Sequence, residues 1–541
     1  MIVAEAVGRA LAACGVGTAF GVVGSGNFHV TNALVAGGVH FVAARHEGGA
    51  ATMADAYARM SGRAGVVSVH QGPGLTNALT GLTEAAKSRT PLIVLAGEAT
   101  EVQSNFHIDQ AALATAVGAV AMRVASPEEA VSRAVEAYRV AVGERRTVLL
   151  NLPLDVQSAP FEGPVDVMPP PAIAPAVPAA GEVAELARLL GAAERPVFIA
   201  GRGARHARRE LEELAALAGA LLATSAVAKG LFRGSPWDLD VSGGFATPLA
   251  AELIRGADLV VAWGCALNMW TTRHGTLVSP GAKVVKVDLD PAAFNTHVPA
   301  DLGVAGDVAR VAEALAAQVA PRPGYRSPEI AARVRAEGRW RNVPYEDESG
   351  GGRIDPRTLS IGLDDLLPRE RIVAIDSGNF MGYPSMFVDV PDEGGFCFTQ
   401  AFQSIGLGLA TAIGAAIARP DRLPVAALGD GGALMGIAEL ETVVRLSLPM
   451  VIVVYDDEAY GAEVHHFGPH GHPLGTVTFP PADLAAIARG HGCAAVTVGG
   501  PGDLAGVAEW VDGPRDRPLL VHAKVTAEHG SWWLEEAFKG H

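Results

Sequence analysis

Residues 424–461 read PVAALGDGGALMGIAELETVVRLSLPMVIVVYDDEAYG and contain two apolar runs separated by a helical pattern. The first run, Val425–Leu428, leads into the glycine-rich segment 429–432, and the second run covers Met450–Val454. Continuous apolar runs of this length are typical of buried parallel strands. Between them, apolar residues recur at helical spacing over Leu434–Leu446, which predicts a crossover helix. The stretch therefore predicts a strand-helix-strand unit.

Two acids stand at the ends of these two predicted strands. Asp430 follows the first strand and Asp457 the second, so we expect both at the carboxyl edge of the sheet, where open α/β sheets bind ligands. Two neighbouring carboxylates repel unless a cation lies between them, and adjacent glycines expose N–H groups that suit phosphate oxygens. The pattern indicates Mg²⁺ held between the protein and a diphosphate. The alternative is an ordinary tight turn with a solvated pair of acids.

Length and composition narrow the class of protein. The 541 residues are too many for one core and predict about three domains. A formal net charge of −16 argues against nucleic acid or an anionic membrane as a partner. No apolar run reaches transmembrane length, and residues 1–10 lack the basic start of a signal peptide. The distant cysteines Cys14, Cys265, Cys397 and Cys493 are expected to be reduced, which predicts a cytoplasmic location.

Two breaks divide the chain. Residues 159–182 are too rich in proline for a helix or a central strand, and residues 321–356 contain PRPGY and SGGGRIDP around a short charged helix. We therefore expect domains at 1–160, 183–320 and 356–541. Each alternates apolar strands with helical patterns, which predicts an α/β fold of three doubly wound, mainly parallel sheets.

In the first domain, two ionisable residues follow predicted strands. Glu47 begins a predicted helix in RHEGGAATMADAYAR (45–59), where an acid also stabilises the helix N-terminus without any catalytic role. His70 follows the strand Gly65–Val69, a place that structural histidines also occupy. From these residues alone, a structural and a catalytic role stay open for both.

Together the motifs resemble a known family. GDG at 429–431, followed by the acid pair at 456–457, is similar to the cofactor motif of thiamine diphosphate (ThDP) enzymes of the acetolactate synthase and benzoylformate decarboxylase type. The segment 45–59 and GPGLTNALTGLTEAAKSRTPLIVLAGE (72–98) resemble the family's pyrimidine-domain signature. The resemblance covers nearly the whole chain and implies a pyrimidine-binding, a central and a diphosphate-binding domain, in that order.

The resemblance also implies a set of cofactor contacts. Mg²⁺ is then bound by Asp430, Asp457 and the backbone carbonyl of Ala459, while Glu47 hydrogen-bonds the aminopyrimidine ring of ThDP. Asp456 departs from the family's usual Asn, and an extra carboxylate there weakens diphosphate binding unless it turns away or is protonated. The other implied cofactor contacts are Asn379, Gln403, Ile405 as the aliphatic wedge between the two rings, Gly429, Gly431, Gly432, Ala433, Tyr460 and Gly461.

A serine and three histidines are the other catalytic candidates. Ser25 and His70 match a serine and a catalytic histidine of benzoylformate decarboxylase, which the first domain resembles closely. His107 and His466 lie in stretches that line the pocket in relatives, and biosynthetic acetolactate synthases carry a substrate-selecting Trp near the place of His466. Zinc bound by the histidines of 465–472 is an alternative, although adjacent histidines on a strand face opposite ways and no Cys accompanies them.

The central domain and the C-terminal tail carry weaker signals. The central domain of acetolactate synthases binds FAD, whereas that of many relatives binds no cofactor. The short Gly-Arg-Gly pattern at 201–203 is weak evidence for a dinucleotide-binding loop by itself. We therefore expect ThDP and Mg²⁺ without FAD. Trp270 stands where relatives contribute to the substrate pocket. The pair Trp532 and Trp533 is expected to dock, either as a lid over the pocket or on a partner subunit.

The implied activity follows from the cofactor. Glu47 promotes the imino form of the aminopyrimidine, which generates the ylid. The ylid attacks a 2-keto acid, CO₂ leaves, and the enamine is protonated or added to an aldehyde or a second keto acid. We expect an acetolactate-synthase-like carboligase/decarboxylase, with a simple benzoylformate-type decarboxylase or a ThDP-binding protein without turnover as alternatives. Family sites lie between two chains, which implies a homodimer or homotetramer.

Overall fold

The computed structural model describes residues 1–169, 171 and 174–537, so the predicted end of the third domain at 538–541 lies outside the described residues. Within these residues the named strands form three sheets of six strands, and all their pairings are parallel. The predicted α/β class with three doubly wound sheets is confirmed. In the part of the chain that the structure describes, no helix combines the length and the apolar character needed to cross a membrane.

The first sheet belongs to the N-terminal domain. Its strands are β1 (Thr18–Gly21), β2 (His40–Ala43), β3 (Gly65–Val69), β4 (Leu92–Glu98), β5 (Val120–Arg123) and β6 (Thr147–Pro153), in the spatial order β2-β1-β3-β4-β6-β5. Strand residues alternate between two apolar cores, one on each face, as expected for a sheet covered on both sides. The helices are α1 (Val3–Ala13), α2 (Phe28–Ala36), α3 (Glu47–Ser61), α4 (Pro73–Lys87), α5 (Gln110–Ala116), α6 (Ala130–Gly143) and α7 (Leu154–Gln157).

The second sheet belongs to the central domain. Its strands are β7 (Pro196–Ala200), β8 (Leu221–Thr224), β9 (Asp238–Val241), β10 (Leu259–Trp263), β11 (Lys283–Asp288) and β12 (Leu302–Ala305), in the order β12-β11-β10-β7-β8-β9. The helices of this part are α8 (Ala180–Ala192), α9 (Arg208–Ala218), α10 (Pro248–Arg255), α11 (Met269–Thr272), α12 (Val308–Ala316) and α13 (Pro328–Glu337).

The third sheet belongs to the C-terminal domain. Its strands are β13 (Arg371–Ile375), β14 (Phe396–Phe398), β15 (Leu423–Gly429), β16 (Val451–Asp456), β17 (Ala494–Val498) and β18 (Leu519–Lys524), in the order β14-β13-β15-β16-β18-β17. The helices are α14 (Pro356–Leu366), α15 (Gly382–Phe387), α16 (Gly408–Ala418), α17 (Asp430–Met435), α18 (Leu440–Arg445), α19 (Gly461–Phe467), α20 (Leu484–His491), α21 (Ala505–Asp512) and α22 (Trp532–Ala537).

The first and third sheets share one topology. Numbered by their appearance within each sheet, the strands of both follow the order 2-1-3-4-6-5. β3 therefore holds the same place in the first sheet as β15 in the third. His70 follows β3 and Asp430 follows β15, so these two candidate residues stand at equivalent edges of two similar domains.

Helices α3 and α16 join these two domains through one apolar core. Ala50 and Met53 on α3 are buried in the same cluster as Leu409 and Ile413 on α16. A Cβ atom on Gly414 would lie 2.1 Å from the carbonyl oxygen of Met53, so this close approach requires glycine. The shared core therefore sets how the edge of the first sheet faces the third domain.

The crossover connection between β15 and β16 is less regular than predicted. The single helix expected over 434–446 is wrong, because α17 ends at Met435, a 3₁₀ turn covers Ile437–Glu439, and α18 begins at Leu440. Gly436 lies at the interruption. Glycine has the lowest helix propensity of all residues except proline, which favours a break at this position. The interruption places Glu439 in the short turn, where its side chain is buried.

Candidate active site

The acids of the GDGG and YDD motifs lie at one edge of the third sheet. β15 and β16 pair in parallel with Gly429 opposite Tyr455, so Asp430 and Asp457 follow on neighbouring strands. Burial and the nearby carboxylate of Asp457 raise the pKa of Asp430 to about 7, and burial raises the pKa of Asp457 to about 6. In the described structure neither carboxylate forms an ion pair with a cationic side chain. A divalent cation bound between them would offset their mutual repulsion.

A cavity of about 620 Å³ opens over this edge. Most residues predicted to contact the cofactor line it: Asn379, Gln403, Ile405, Gly429, Asp430, Gly431, Gly432, Asp457, Ala459, Tyr460 and Gly461. Ala433 differs, because it is buried in α17 and does not line the cavity. The third domain therefore brings together residues from four separate loops and strand ends around one space.

Asp456, the departure from the family's usual Asn, does not line this cavity. Its Oδ2 accepts hydrogen bonds of 2.6 Å from His522 Nε2 and from Lys524 Nζ, and its Oδ1 accepts the backbone N–H of Glu458 at 3.0 Å. Burial by itself would raise the pKa of Asp456, but the hydrogen bonds from His522 and Lys524 lower it. Asp456 is thus an ionised carboxylate that is paired with Lys524 and hydrogen-bonded to His522, away from the cavity.

The loop before α16 holds Ile405 in the cavity. The Ile405 side chain is 42% exposed, and the preceding Gln403 has a positive φ of 59°. Asp376, which follows β13, is fully buried and accepts the backbone N–H groups of Ser377 at 2.8 Å and of Gly406 at 3.1 Å. Burial raises the pKa of Asp376 to about 6. Sequence reasoning missed this residue, although an acid directly after a strand was the signal used for Asp430.

The neighbours of Asp457 leave room at its carboxylate. A Cβ atom on Gly461 would lie 2.2 Å from Asp457 Oδ2 and 3.0 Å from Asn379 Nδ2, so glycine is required here. Asn379 Nδ2 donates to the same Oδ2 in a long contact of 3.5 Å. The carboxylate is therefore flanked by a side-chain amide and by open backbone rather than by a competing cation.

The donor set fits Mg²⁺ together with a diphosphate. Mg²⁺ prefers oxygen ligands and commonly takes few of them from the protein. Within the described ranges, no group of three or more His, Cys, Asp or Glu side chains is arranged to hold a metal ion. A cation at Asp430 and Asp457 would therefore complete its shell with the Ala459 carbonyl, phosphate oxygens and water. The strand assumed for His465 and His466 is wrong, because both residues lie in α19.

Ser25, Glu47 and His70 come together at the edge of the first sheet. Ser25 Oγ lies 3.3 Å from His70 Nε2. Glu47 begins α3, and Asn77 Nδ2 donates to Glu47 Oε2 at 3.0 Å, a contact that sequence reasoning missed. A Cβ atom on Gly74 would lie 3.1 Å from His70 Cβ and 3.6 Å from Glu47 Oε1, so both side chains approach the same point. The first domain thus presents a carboxyl, an imidazole and a hydroxyl as one group.

The other two candidate histidines differ in position. His107 Nδ1 lies 3.0 Å from the carbonyl oxygen of Ala99, and the ring of the adjacent Phe106 lies 5.2 Å from that of His70. His107 is therefore a neighbour of the first-domain group. His466 lies in α19, contacts the aromatic rings of nearby residues and does not line the cavity. The structure does not bring His466 into either group.

The two groups of candidate residues do not meet within one chain. Ser25, Glu47, His70 and His107 are all absent from the walls of the cavity over the third sheet. The first group offers proton-transferring side chains, and the cavity offers the acid pair and the backbone around it. Each group alone is an incomplete site for a cofactor with one basic ring and one diphosphate.

The C-terminal tail closes one side of the cavity. Trp533 is buried, lies 6.4 Å from the ring of Trp270, and donates through Nε1 to the carbonyl oxygen of Asn379 at 3.1 Å. Both tryptophans line the cavity. Trp532 instead donates to Met386 Sδ at 3.1 Å. The tail therefore docks on its own chain as a cover, the first of the two arrangements that the sequence left open.

The central domain forms the far side of the cavity. The turn after β7 contributes Gly201, Arg202 and Gly203. Burial and the nearby guanidinium of Arg59 lower the pKa of Arg202 to about 10. Gln400 also lines this region and is buried with neither of its amide atoms hydrogen-bonded. The cavity thus extends to the short glycine pattern at 201–203 in the central domain. The absence of FAD stays a prediction.

Comparisons with known families agree with this arrangement. Models described as thiamine pyrophosphate enzyme domains match in three places: the N-terminal TPP binding domain at residues 1–116, the central domain at 183–315 and the C-terminal TPP binding domain at 376–523. The two TPP binding models match the two domains of equal sheet topology, from β1 to β4 in the first sheet and from β14 into β18 in the third. The Ser25, Glu47 and His70 group and the cavity over the third sheet therefore lie in the two domains whose family models are described as TPP binding.

Individual relatives extend the match over most of the chain. A protein named "Probable 2-ketoarginine decarboxylase" from Pseudomonas aeruginosa is 30% identical over 512 residues, covering 91% of this chain and 88% of the relative. The acetolactate synthase isozyme 2 large subunit of Escherichia coli is 30% identical over 473 residues, covering 85% and 83%. A sulfoacetaldehyde acetyltransferase from Alcaligenes xylosoxydans xylosoxydans is 28% identical over 499 residues, covering 86% and 82%. The predicted enzyme of transferase or lyase type is confirmed, and the chain belongs to the thiamine pyrophosphate enzyme family.

Proposed function

We propose that this enzyme binds ThDP and Mg²⁺ and breaks or makes the C–C bond beside the keto group of 2-keto acids, as an acetolactate-synthase-like carboligase/decarboxylase. One observation carries the proposal: two partly buried acids, Asp430 and Asp457, lie at one edge of the third sheet. The group of Ser25, Glu47 and His70 lies at the equivalent edge of the first sheet. Relatives named as acetolactate synthases and as a 2-ketoarginine decarboxylase support the substrate class.

The third domain would hold the metal and the diphosphate. Asp430, Asp457 and the carbonyl of Ala459 are the protein ligands for Mg²⁺, and the loops around them exclude bulk water from one side. Ile405 reaches into the cavity and supports the ring system of the cofactor. When bound, ThDP supplies a carbon nucleophile and a sink for the electron pair left behind as CO₂ departs.

Glu47 has the role of holding and moving a proton at the ring nitrogen of the aminopyrimidine. Asn77 donates to Oε2 and orients the carboxyl, while Oε1 lies on the side of Gly74 and His70. In a water-poor site, a carboxyl group shares a proton strongly with a facing ring nitrogen. Glu47 therefore needs no direct contact with the keto acid to act in the reaction.

A second copy of the chain would complete the site. Because the two groups lie apart in one chain, the first domain of one copy closes the cavity of another in a homodimer, or in a homotetramer built from two such dimers. Large apolar side chains are exposed beside both groups, with Phe28 and Phe106 near the first and Phe402 and Leu434 near the second. Exposed apolar surface of this kind marks contact sites between proteins.

A simple 2-keto acid decarboxylase is the second candidate, and the contact between Ser25 and His70 favours it. His70 Nδ1 lies 3.0 Å from the carbonyl oxygen of Gln71, which only accepts hydrogen bonds, so Nδ1 carries a proton and Nε2 faces the Ser25 hydroxyl. With Nε2 also protonated, the imidazole donates through this nitrogen, and the pair then supplies a proton donor at the edge of the first sheet. A donor there favours protonation of the decarboxylated product over its addition to a second carbonyl.

Product analysis separates the two candidates. Purified protein is incubated with ThDP, Mg²⁺ and either pyruvate or benzoylformate. Acetolactate or another acyloin identifies the carboligase, and free aldehyde identifies the decarboxylase. A protein that binds ThDP by calorimetry yet yields no product from a panel of 2-keto acids would contradict both. The visible absorbance spectrum of the same sample tests for FAD, and light scattering distinguishes the dimer from the tetramer.

The proposal also includes catalytic turnover and a cytoplasmic location. A protein without turnover was suggested only by Asp456, and that suggestion loses its basis because Lys524 neutralises the carboxylate and His522 is hydrogen-bonded to it. A cytoplasmic location is supported by the cysteines, all four of which are buried and free of disulfide bonds in the described structure. Fractionation of the cells that make the protein tests this location.

A further inference from the structure

Asn379 connects the C-terminal tail to a carboxylate of the proposed metal site. Its Nδ2 faces Asp457 Oδ2 at 3.5 Å, while its Oδ1 accepts the backbone N–H and the hydroxyl of Ser531, each at 3.2 Å. The backbone carbonyl of Asn379 accepts Ser531 Oγ at 2.7 Å and Trp533 Nε1 at 3.1 Å. Two tail residues therefore bind one residue from both its backbone and its side chain.

These contacts determine which way the Asn379 amide faces. A side-chain amide has a donor end and an acceptor end. The backbone N–H of Ser531 can only donate and its hydroxyl donates beside it, so together they hold the Oδ1 end towards the tail, and the Nδ2 end then faces Asp457. If the amide rotated by half a turn, its oxygen would face a carboxylate oxygen, and two acceptors would stand in contact without a hydrogen.

The tail is held in place by contacts that do not involve Asn379. Ser531 is 2% exposed, and the ring of Trp533 packs against Phe245 at 6.3 Å and Trp270 at 6.4 Å. A Cβ atom on Gly382 would lie 2.0 Å from Trp533 Cδ1, so the indole fits closely over α15. The packing of Trp533 therefore provides a firm base from which Ser531 orients the amide.

We propose that Ser531 and Trp533 are positioning residues for the metal and diphosphate site, acting through Asn379. The tail keeps a hydrogen-bond donor directed at the Asp457 carboxylate and at the space beside it, where the diphosphate would lie. This inference rests on the proposed binding of ThDP and Mg²⁺. It assigns the tail a part in binding the cofactor in addition to its part in covering the cavity.

The test measures cofactor affinity directly. The variant Ser531→Ala removes the hydroxyl donor to Asn379 and keeps the backbone N–H, while Trp533→Phe removes the indole donor to the Asn379 carbonyl and keeps most of the apolar packing. Calorimetric titration of the full-length protein with ThDP at saturating Mg²⁺ is expected to give a Kd raised about 5- to 10-fold for Ser531→Ala and about 3- to 5-fold for Trp533→Phe. The KM for the 2-keto acid should stay within about 2-fold of the unaltered enzyme, since the change acts on the cofactor.

Two further variants make the test specific to Asn379. Trp532→Phe is the matched control, because its indole donates to Met386 rather than to Asn379, and its Kd should match that of the unaltered protein. In an Asn379→Ala background, Ser531→Ala should raise the Kd by less than about 2-fold, because residues that act through one partner are not additive. The metal-free variants should keep the far-UV circular dichroism spectrum of the unaltered protein at the temperature of the titration, which excludes general misfolding.

The possible failures are distinguishable. Equal Kd values for the unaltered protein and both tail variants would overturn this inference alone. So would an equal loss from Ser531→Ala with and without Asn379, or an equal effect of Trp532→Phe. An unaltered protein that binds no ThDP in the presence of Mg²⁺ would instead overturn the proposed function.

Discussion

The carboxylate of Glu439 accepts the backbone N–H of His46 at 3.1 Å, across the boundary between the third and first domains. The same oxygen accepts the backbone N–H of Arg45 at 3.0 Å. These two residues directly precede Glu47. A buried acid of the third domain therefore supports the turn that presents the proposed proton-transfer residue of the first domain.

Glu84 makes the reciprocal connection. From α4 of the first domain, its two oxygens accept the backbone N–H groups of Ala401 at 3.0 Å and of Phe402 at 2.6 Å, in the loop that carries Ile405. Glu84 and Glu439 each follow the third strand of their own sheet. The repeated topology thus includes a repeated contact, in which each domain supports the cofactor loop of the other.

Substitution of Glu439 should therefore impair both stability and turnover. Glu439→Ala leaves two N–H groups without their charged acceptor, which costs about 2–4 kcal/mol and lowers the thermal midpoint. Displacement of Glu47 by even part of an ångström should lower kcat about 10-fold or more. Glu441→Ala is the matched control, because its ion pair with the Arg45 side chain is exposed and should change either quantity little. Equal effects of the two variants would contradict the prediction.

Glu47→Gln should separate binding from turnover. Glutamine keeps the shape of the side chain, so the Kd for ThDP should stay within about 3-fold, while the loss of proton transfer should lower kcat about 10²- to 10⁴-fold. Calorimetry and steady-state kinetics on the same preparation measure both quantities. Near-normal turnover would remove Glu47 from the reaction.

Asp456→Asn should affect folding more than cofactor binding. The variant removes the ionised partner of the buried His522 and one of the two carboxylate partners of Lys524, which keeps Glu458, so the free energy of unfolding should fall by about 1–3 kcal/mol, seen as a lower thermal midpoint of the cofactor-free protein. The Kd for ThDP should change less than about 3-fold. A clear gain in affinity would show instead that the Asp456 carboxylate acts on the diphosphate.

The response to Mg²⁺ should depend on pH with a defined sign. The pKa values of Asp430 and Asp457, about 7 and about 6, exceed the value of about 3.9 for an unfolded Asp. The folded protein therefore binds more protons than the unfolded chain between these values, and the metal-free protein loses stability as pH rises from about 4 to about 7. Because Mg²⁺ needs both acids ionised, the rise in Tm on adding Mg²⁺ and ThDP should be larger at pH 8 than at pH 6.

Thermal scans of the metal-free and loaded protein at both pH values measure this effect. Asp430→Asn is the control, since it removes the group with the highest pKa of the pair and should flatten the dependence. An equal rise in Tm at pH 6 and pH 8 would contradict the assignment of the two acids as ligands.

The sequence predicted the elements whose position follows from local pattern. β3 has the predicted bounds because its apolar run begins shortly after Gly62 and Arg63 and ends before His70 and Gln71. Asp430 and Asp457 share an edge because a right-handed strand-helix-strand unit leaves no other arrangement. Family resemblance added the assignment of Glu47, which helix chemistry alone left open.

The features that the sequence did not predict depend on distant parts of the chain. The direction of the Asp456 side chain depends on β16 pairing with β18, which places Lys524 opposite it. Asn77 reaches Glu47 only because α4 packs beside α3. The docking of Trp533 depends on residues of the central domain, such as Trp270 and Phe245. The local sequence pattern around each of these residues does not indicate its distant contact.

The separation of the two half-sites within one chain has a genetic consequence. A Glu47→Gln chain and an Asp430→Ala chain are damaged in different halves, so in the proposed homodimer neither assembles an intact site with copies of itself. In a mixed dimer, one site combines two damaged halves and the other combines two sound ones. Co-expression of the two inactive chains should therefore restore activity by complementation, and the recovered turnover should reside entirely in the mixed species.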